Sequence, residues 1–151
     1  MRIDPEPAEG SNFLKFVKKL MKGFVGDIEK LTRENSNFRR VLYTAYRSQL
    51  VLMSLKPGEE IGMETHAEND QFFRFEEGSG KVVIDDNEYK IHEDWAIVVP
   101  AGSQHNVVNT GDKDLKICTI YSPPHHRDGV VHVTKQEAEA DKEFFDGKVS
   151  E

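Results

Sequence analysis

A chain of 151 residues has room for one domain with one substantial core, and 37% hydrophobic residues with nine Phe supply the volume for it. Its net charge of −7 lacks the basic footprint of a nucleic-acid binder and argues against an anionic membrane surface. A single cysteine, Cys118, rules out an intrachain disulfide. With no secretory pattern in MRIDPEPAEG and no apolar run near the roughly 20 residues that span a bilayer, the expectation is a soluble cytoplasmic protein without membrane contact.

Residues 1–12, rich in Pro, Glu, Gly and Ser, read as a mobile start. Next, Phe13, Phe16, Val17, Leu20 and Phe24 recur at helical spacing with Lys15, Lys18, Lys19 and Lys22 between them. This predicts a short basic amphipathic helix ending at Gly23 or Gly26. Such a helix packs on the rest of the fold or on a second subunit more often than on a membrane or acidic partner.

From Phe38 the texture becomes short β-type runs. Val41–Tyr46, Gln49–Leu55, a run from Ile61, QFFRF, KVVI, EYKI, AIVVP, HNVVN and LKICTIY follow one another, with Gly, Asp and Asn between them. Strand signals every eight to twelve residues predict an all-β sandwich or barrel, and closure would remove exposed edges. Strand texture stops after Pro123-Pro124, and Thr134 to Glu137 has the form of a capping box opening a helix from Ala138 through Phe145 to Gly147. The expected organisation is therefore residues 1–37 as N-terminus and helix, 38–122 as barrel, and 123–151 as a tail with a short helix.

The chemistry concentrates in PGEEIGMETHAENDQFFRFEEGSG and VVPAGSQHNVVN. Glu64 and His66, two apart, share one face of a strand. Gln71 opens the next run on the face of Phe73 and Phe75, while His105 shares a face with Val107 and Asn109. Two imidazoles and a carboxylate converging in an apolar barrel are a donor set for Mn, Fe, Co, Ni or Zn, and a divalent charge offsets burial of the carboxylate. A Gln71 carbonyl oxygen would be a weaker fourth donor. Each histidine alone is better explained as a hydrogen-bonded core or rim residue, and spacing alone leaves the two readings even.

These residues sit in a frame that resembles the cupin superfamily, whose motifs run G-x5-H-x-H-x4-E-x6-G and G-x5-P-x-G-x2-H-x3-N. Here the first reads Gly58, Glu64, His66, Gln71, Gly78, and the second Asp94, Pro100, Gly102, His105, Asn109, with every spacing kept. Glu64 replaces the usual first His and Gln71 the usual Glu, so one carboxylate remains in the quartet. Asp94 replaces a Gly, and Asp tolerates the left-handed conformation better than most residues. The phrases LVLMSLKPGEEIG, DQFFRFEEG and YSPPHHRDGVVH are similar to a small single-domain subgroup loosely labelled as related to mannose-6-phosphate isomerase, a label for shared fold more than for chemistry.

The resemblance implies a double-stranded β-helix (jelly-roll) barrel with short N- and C-terminal helices, forming a homodimer. It implies one divalent transition metal ion per chain (Mn, Fe, Ni or Zn) held by Glu64, His66, Gln71 and His105. The corresponding activity is that of a mononuclear metal enzyme, a dioxygenase or an isomerase or lyase, acting on a small oxygenated molecule. The alternatives are a metal-stabilised small-molecule binding module and an oligomerisation unit with a vestigial site. No residue outside the quartet stands out as a general acid or base. His126 and His132 in the tail could lie at the barrel mouth and act on a substrate, but a tail His is more often solvated or capping. Asp70 reads as a turn carboxylate or a partner for a ligand His, and Glu59, Glu60 and Glu68 as turn charges. Phe73, Phe75, Val82, Ile84, Ile97, Val99 and Tyr121 read as barrel lining, Cys118 as a buried small residue, and Phe72 as an exposed interface aromatic.

Overall fold

The computed structural model describes residues 21–151. Among the described residues, ten strands form two antiparallel sheets. In chain order these are β1 (Arg39–Thr44), β2 (Gln49–Leu55), β3 (Glu64–Thr65), β4 (Asp70–Glu77), β5 (Gly80–Ile84), β6 (Asn87–Ile91), β7 (Ala96–Val99), β8 (Gln104–Asn109), β9 (Leu115–Ser122) and β10 (Val131–His132). The larger sheet has the order β10-β1-β2-β9-β4-β7 and the smaller β3-β8-β5-β6. Helices α1 (Ile28–Glu34) and α2 (Lys135–Ala140) flank the strands in sequence.

The period-2 alternation explains the core. Val51, Met53 and Leu55 of β2, Phe73 and Phe75 of β4, and Ile117 and Tyr121 of β9 turn inward from the large sheet. Val82, Val107 and Ile91 meet them from the small one, and Ile84 and Ile97 pack at the margin. Every residue expected to line the barrel does so. The β2–β9 ladder runs unbroken from Gln49 opposite Tyr121 to Leu55 opposite Leu115, so the interior face of these strands is held in one register.

Two positions show why the motif frame needs its turn residues. Gly78 has φ +90°, and a Cβ there would lie 2.8 Å from the Asp114 carbonyl oxygen, closer than real contacts allow. Asp94 has φ +68°, the left-handed conformation for which the motif's usual Gly is suited. Asn109, closing the second motif, donates through Nδ2 to the carbonyls of Leu55 and Lys113 and accepts from Gly111 N, stitching three segments together.

Differences from the sequence reading lie outside the barrel strands. The amphipathic helix expected over 13–24 lies, up to residue 20, outside the described residues, as does the mobile start, and residues 21–26 carry no helical turn. Helix α1 was not expected. It has seven residues, is capped by the Asp27 side chain on Lys30 N, and lies over the outer face of β9 and β4, with Thr32 fully buried. Cys118 is buried on that face, as expected of a small core residue, and burial pushes its thiol up.

After the double proline, β10 adds two residues to the edge of β1, with Arg39 opposite His132. The capping box forms, since Thr134 Oγ1 accepts from Glu137 N at 3.1 Å. The helix then stops at Ala140 instead of continuing to Phe145. Beyond it, Glu143 turns into the body of the protein and accepts from Arg127 N, and Phe145 N donates to the His125 carbonyl, which takes the donor a continuing helix would turn to the Asp141 carbonyl. No helix among the described residues is long and apolar enough to cross a membrane.

Candidate metal centre

Glu64 and His105 are direct partners in the β3–β8 ladder. His66 follows β3 by one residue, so the E-x-H spacing returns it to the side of Glu64. His66 Nε2 lies 3.2 Å from Glu64 Oε2, and the His66 and His105 rings are 5.2 Å apart. One ligand atom from each of Glu64, His66 and His105 can be chosen so that all lie within 4.8 Å of one another, so the three could hold a metal ion. Phe73 packs edge-on against His105 at 6.1 Å and keeps that side apolar.

Two buried polar atoms test whether the residues suit a metal. His105 is 2% exposed, and its Nδ1 donates to the Ser103 carbonyl at 3.1 Å. That bond leaves the lone pair on Nε2, which is buried without a protein partner. Burial pushes this imidazole down, which favours the neutral form that binds metals.

Gln71 is also 2% exposed, and its Nε2 donates to Thr119 Oγ1 at 3.0 Å. The Thr119 hydroxyl spends its one hydrogen on the Phe72 carbonyl, so towards Gln71 it must accept. The amide orientation is thereby set, and Oε1 is the atom left buried and without a partner. An orphaned imidazole nitrogen in the Glu64–His66–His105 cluster, and an orphaned Gln71 carbonyl oxygen on the inward face of β4, are costly without a partner, and a cation would satisfy the first. Burial pushes the Glu64 carboxyl up, but the hydrogen bond from His66 and the charges of His66, Arg39 and His105 outweigh it and hold the group below its usual range.

With the frame and the site geometry in place, comparison with known proteins decides the family. Residues 51–121 match the family model described as a cupin domain. The chain is 46% identical over 125 residues to Uncharacterized protein YrkC of Bacillus subtilis (strain 168), covering 79% of this chain and 67% of that protein. Uncharacterized protein L612 of Acanthamoeba polyphaga mimivirus is 40% identical over 119 residues, covering 76% and 74%. Among solved structures, BH2720 from Bacillus halodurans superposes with a TM-score of 0.77 at 45% identity, over 78% of this chain and 94% of that one. The chain is a cupin.

In this cupin the tail after β9 belongs to the site more than its sequence suggests. Asn69 Nδ2 donates to the Pro123 carbonyl at 2.6 Å and ties the loop after β9 to the loop that carries His66. His125, which the spacing arguments passed over, then packs against His66 with ring centres 4.3 Å apart and stacks on Tyr121 at 5.3 Å. Burial, with His126 and His66 nearby, pushes the His125 imidazole down to about 4.

The expectation of solvated tail histidines is corrected, since His126 and His132 are 5% and 4% exposed. His126 Nδ1 donates to Glu143 Oε1 at 2.5 Å, and its Nε2 faces the Tyr121 hydroxyl at 3.2 Å. His132 Nε2 donates to Asp141 Oδ2 at 3.0 Å. Asp70 proves to be a turn carboxylate, accepting from Ala101 N and joining the two motif loops. A cavity of about 190 Å³ opens beside Glu64, bounded by Arg39, Ile61, His126 and Glu143 among others.

Proposed function

We propose that this cupin is a mononuclear metal-dependent enzyme of the dioxygenase or isomerase/lyase type, acting on a small oxygenated molecule. One divalent transition metal ion (Mn, Fe, Ni or Zn) would be held by Glu64, His66, Gln71 and His105. The observation that carries the reading is the Glu64–His66–His105 cluster with its buried, unpartnered acceptor His105 Nε2, and the buried, unpartnered Gln71 Oε1 supports it. Such an ion, when bound, supplies Lewis acidity and open coordination positions for substrate oxygens.

The remaining work falls to the chain. Ser103 and Thr119 orient His105 and Gln71, so the donor atoms are pre-set. Phe73 and Tyr121 keep bulk water from the inner wall. His126, on the cavity wall with Glu143 behind its Nδ1, could carry a proton, the substrate-facing role that its place in the tail also allows. Half-buried Phe72, with exposed Val98 directly opposite it in the β4–β7 ladder, offers an apolar face for a homodimer in a cytoplasmic setting.

The test is turnover by metal-loaded protein offered small hydroxy- and keto-acids, followed by oxygen consumption and by NMR of the products. The expected result is metal-dependent conversion that His105→Ala abolishes. Stoichiometric metal with no conversion of any compound would favour the metal-stabilised binding module instead.

A further inference from the structure

Arg39 opens β1 and points inward beside Val41, with only 7% of its surface exposed. Its Nη1 contacts His132 Nδ1 at 3.3 Å, an atom free to accept because His132 Nε2 is turned to Asp141. Its Nε is buried without any partner, and no carboxylate among the described residues comes within ion-pair distance of the guanidinium. Glu64 and Glu143 act on this cation only at a distance, so the buried guanidinium still lacks a direct ion-pair partner, which is disfavoured unless something else supplies one.

The other charges around the cavity are accounted for. Glu143 is taken by His126 and Arg127 N, Asp141 by His132, and Glu139 by Lys135. Glu64 is paired with His66 at the metal centre. Arg39 is the charged group on this wall without a direct ion pair, and the cavity it lines also reaches Glu64. At about 190 Å³ the space is worth about six waters, which suits a compound of a few carbons.

We infer that the cavity between Arg39 and Glu64 binds a small organic acid, its carboxylate held by the Arg39 guanidinium and its other oxygenated end directed at the metal centre. The second half of this arrangement rests on the metal-dependent reading above; the Arg39–carboxylate contact does not. The planar guanidinium suits a carboxylate better than a point cation would, because two parallel hydrogen bonds also fix the orientation of the acid. Arg39 is therefore a specificity residue for substrates ending in a carboxylate.

The experiment is calorimetric titration of malonate, with uncharged malonamide as control, into metal-free and nickel-loaded protein at low ionic strength. Metal content is measured after each titration. Malonate should bind and malonamide should not. Arg39→Gln should weaken malonate binding about 10- to 100-fold while nickel content stays unchanged. Equal binding of the two compounds, no malonate binding by either form, or an Arg39→Gln variant that binds malonate like wild type would overturn the proposal.

A chain that takes up no nickel would overturn the metal-dependent reading only. Malonate binding by the metal-free chain, lost in Arg39→Gln, would then still support the carboxylate contact, and its absence would overturn it. If Arg39→Gln fails to fold, the Arg39 Nε–H resonance of wild type, assigned with Arg39→Lys, decides. It should move on adding malonate and stay still with malonamide, and an unmoved resonance under bound malonate would overturn the assignment.

Discussion

Glu64 and His105 face each other as register partners across the β3–β8 ladder, although 41 positions separate them in the chain. The carboxylate and the distal imidazole of the centre are thus placed by backbone hydrogen bonds and not by flexible loops, which keeps a donor set ready without an ion.

The first consequence concerns stability. A ligand that binds only the folded state stabilises it by about 2.7 kcal/mol when present at 100 times its dissociation constant. For a chain of this length that raises Tm by about 5–10 °C. Scanning calorimetry with nickel or zinc should show this rise and elemental analysis about one ion per chain. His66→Ala with His105→Ala should remove both. A double variant that still takes up metal stoichiometrically would sink the assignment of the centre.

Gln71 provides a sharper test because only its charge sets it apart from the family's usual Glu. Gln71→Glu should tighten divalent metal binding about tenfold or more, since a charged oxygen replaces a neutral one. Without metal the same change should cost about 1–3 kcal/mol, because a carboxylate is then buried and loses the bond that the Gln71 amide gives Thr119. Chelator competition and urea unfolding of the metal-free protein read the two effects separately. Unchanged affinity would show that Gln71 Oε1 does not reach the ion.

Much of this was legible in the sequence, for a physical reason. Strand alternation and turn residues are local signals, so nine strand runs follow from spacing alone, as do the face that Glu64 shares with His66 and the one that Gln71 shares with Phe73 and Phe75. Residues placed by long-range contacts were not legible. His125 reaches His66 through a loop that Asn69 ties down, and loops have no period to read. Arg39 looks like half of an exposed Arg-Arg pair, yet it shares the inward face of Val41, a clue that alternation from Val41 back to Arg39 contained. Helix α1 escaped because seven residues are too few to show a 3.6 period, and β10 because two residues show none.

The turn positions predict opposite responses to the same kind of substitution. Asp94→Gly relieves a left-handed residue and should be neutral or slightly stabilising, after loss of the exposed contact to Arg74. Asp94→Ala should cost about 1 kcal/mol, because Ala has no polar side chain to support that conformation. Gly78→Ala should cost more than either, since its Cβ would meet the Asp114 carbonyl at 2.8 Å and backbone must move. Urea midpoints of the three variants check the ranking, and a Gly78→Ala protein as stable as wild type would contradict the close approach.

Acid should unfold the metal-free protein through the tail. The Glu143 side chain is 3% exposed; burial alone would push its carboxyl up, but the hydrogen bonds from His126 and Arg127 N outweigh it and hold the group at about 2. A carboxyl held below its unfolded value stabilises the fold above that value, and the contribution fades as pH falls from about 4.5 towards about 2. Burial also pushes His126 down, so at pH below the ordinary histidine range the unfolded chain takes up a proton more readily than the folded one. Both effects have the same sign, and stability should fall with falling pH. Glu143→Gln should cost roughly 2–3 kcal/mol at pH 7 and flatten the curve below pH 4.5, because a neutral amide gains nothing from deprotonation. Chemical unfolding of chelator-treated protein between pH 7 and pH 3 measures this, and parallel curves for wild type and Glu143→Gln would rule out the His126–Glu143 pair as the acid-sensitive element.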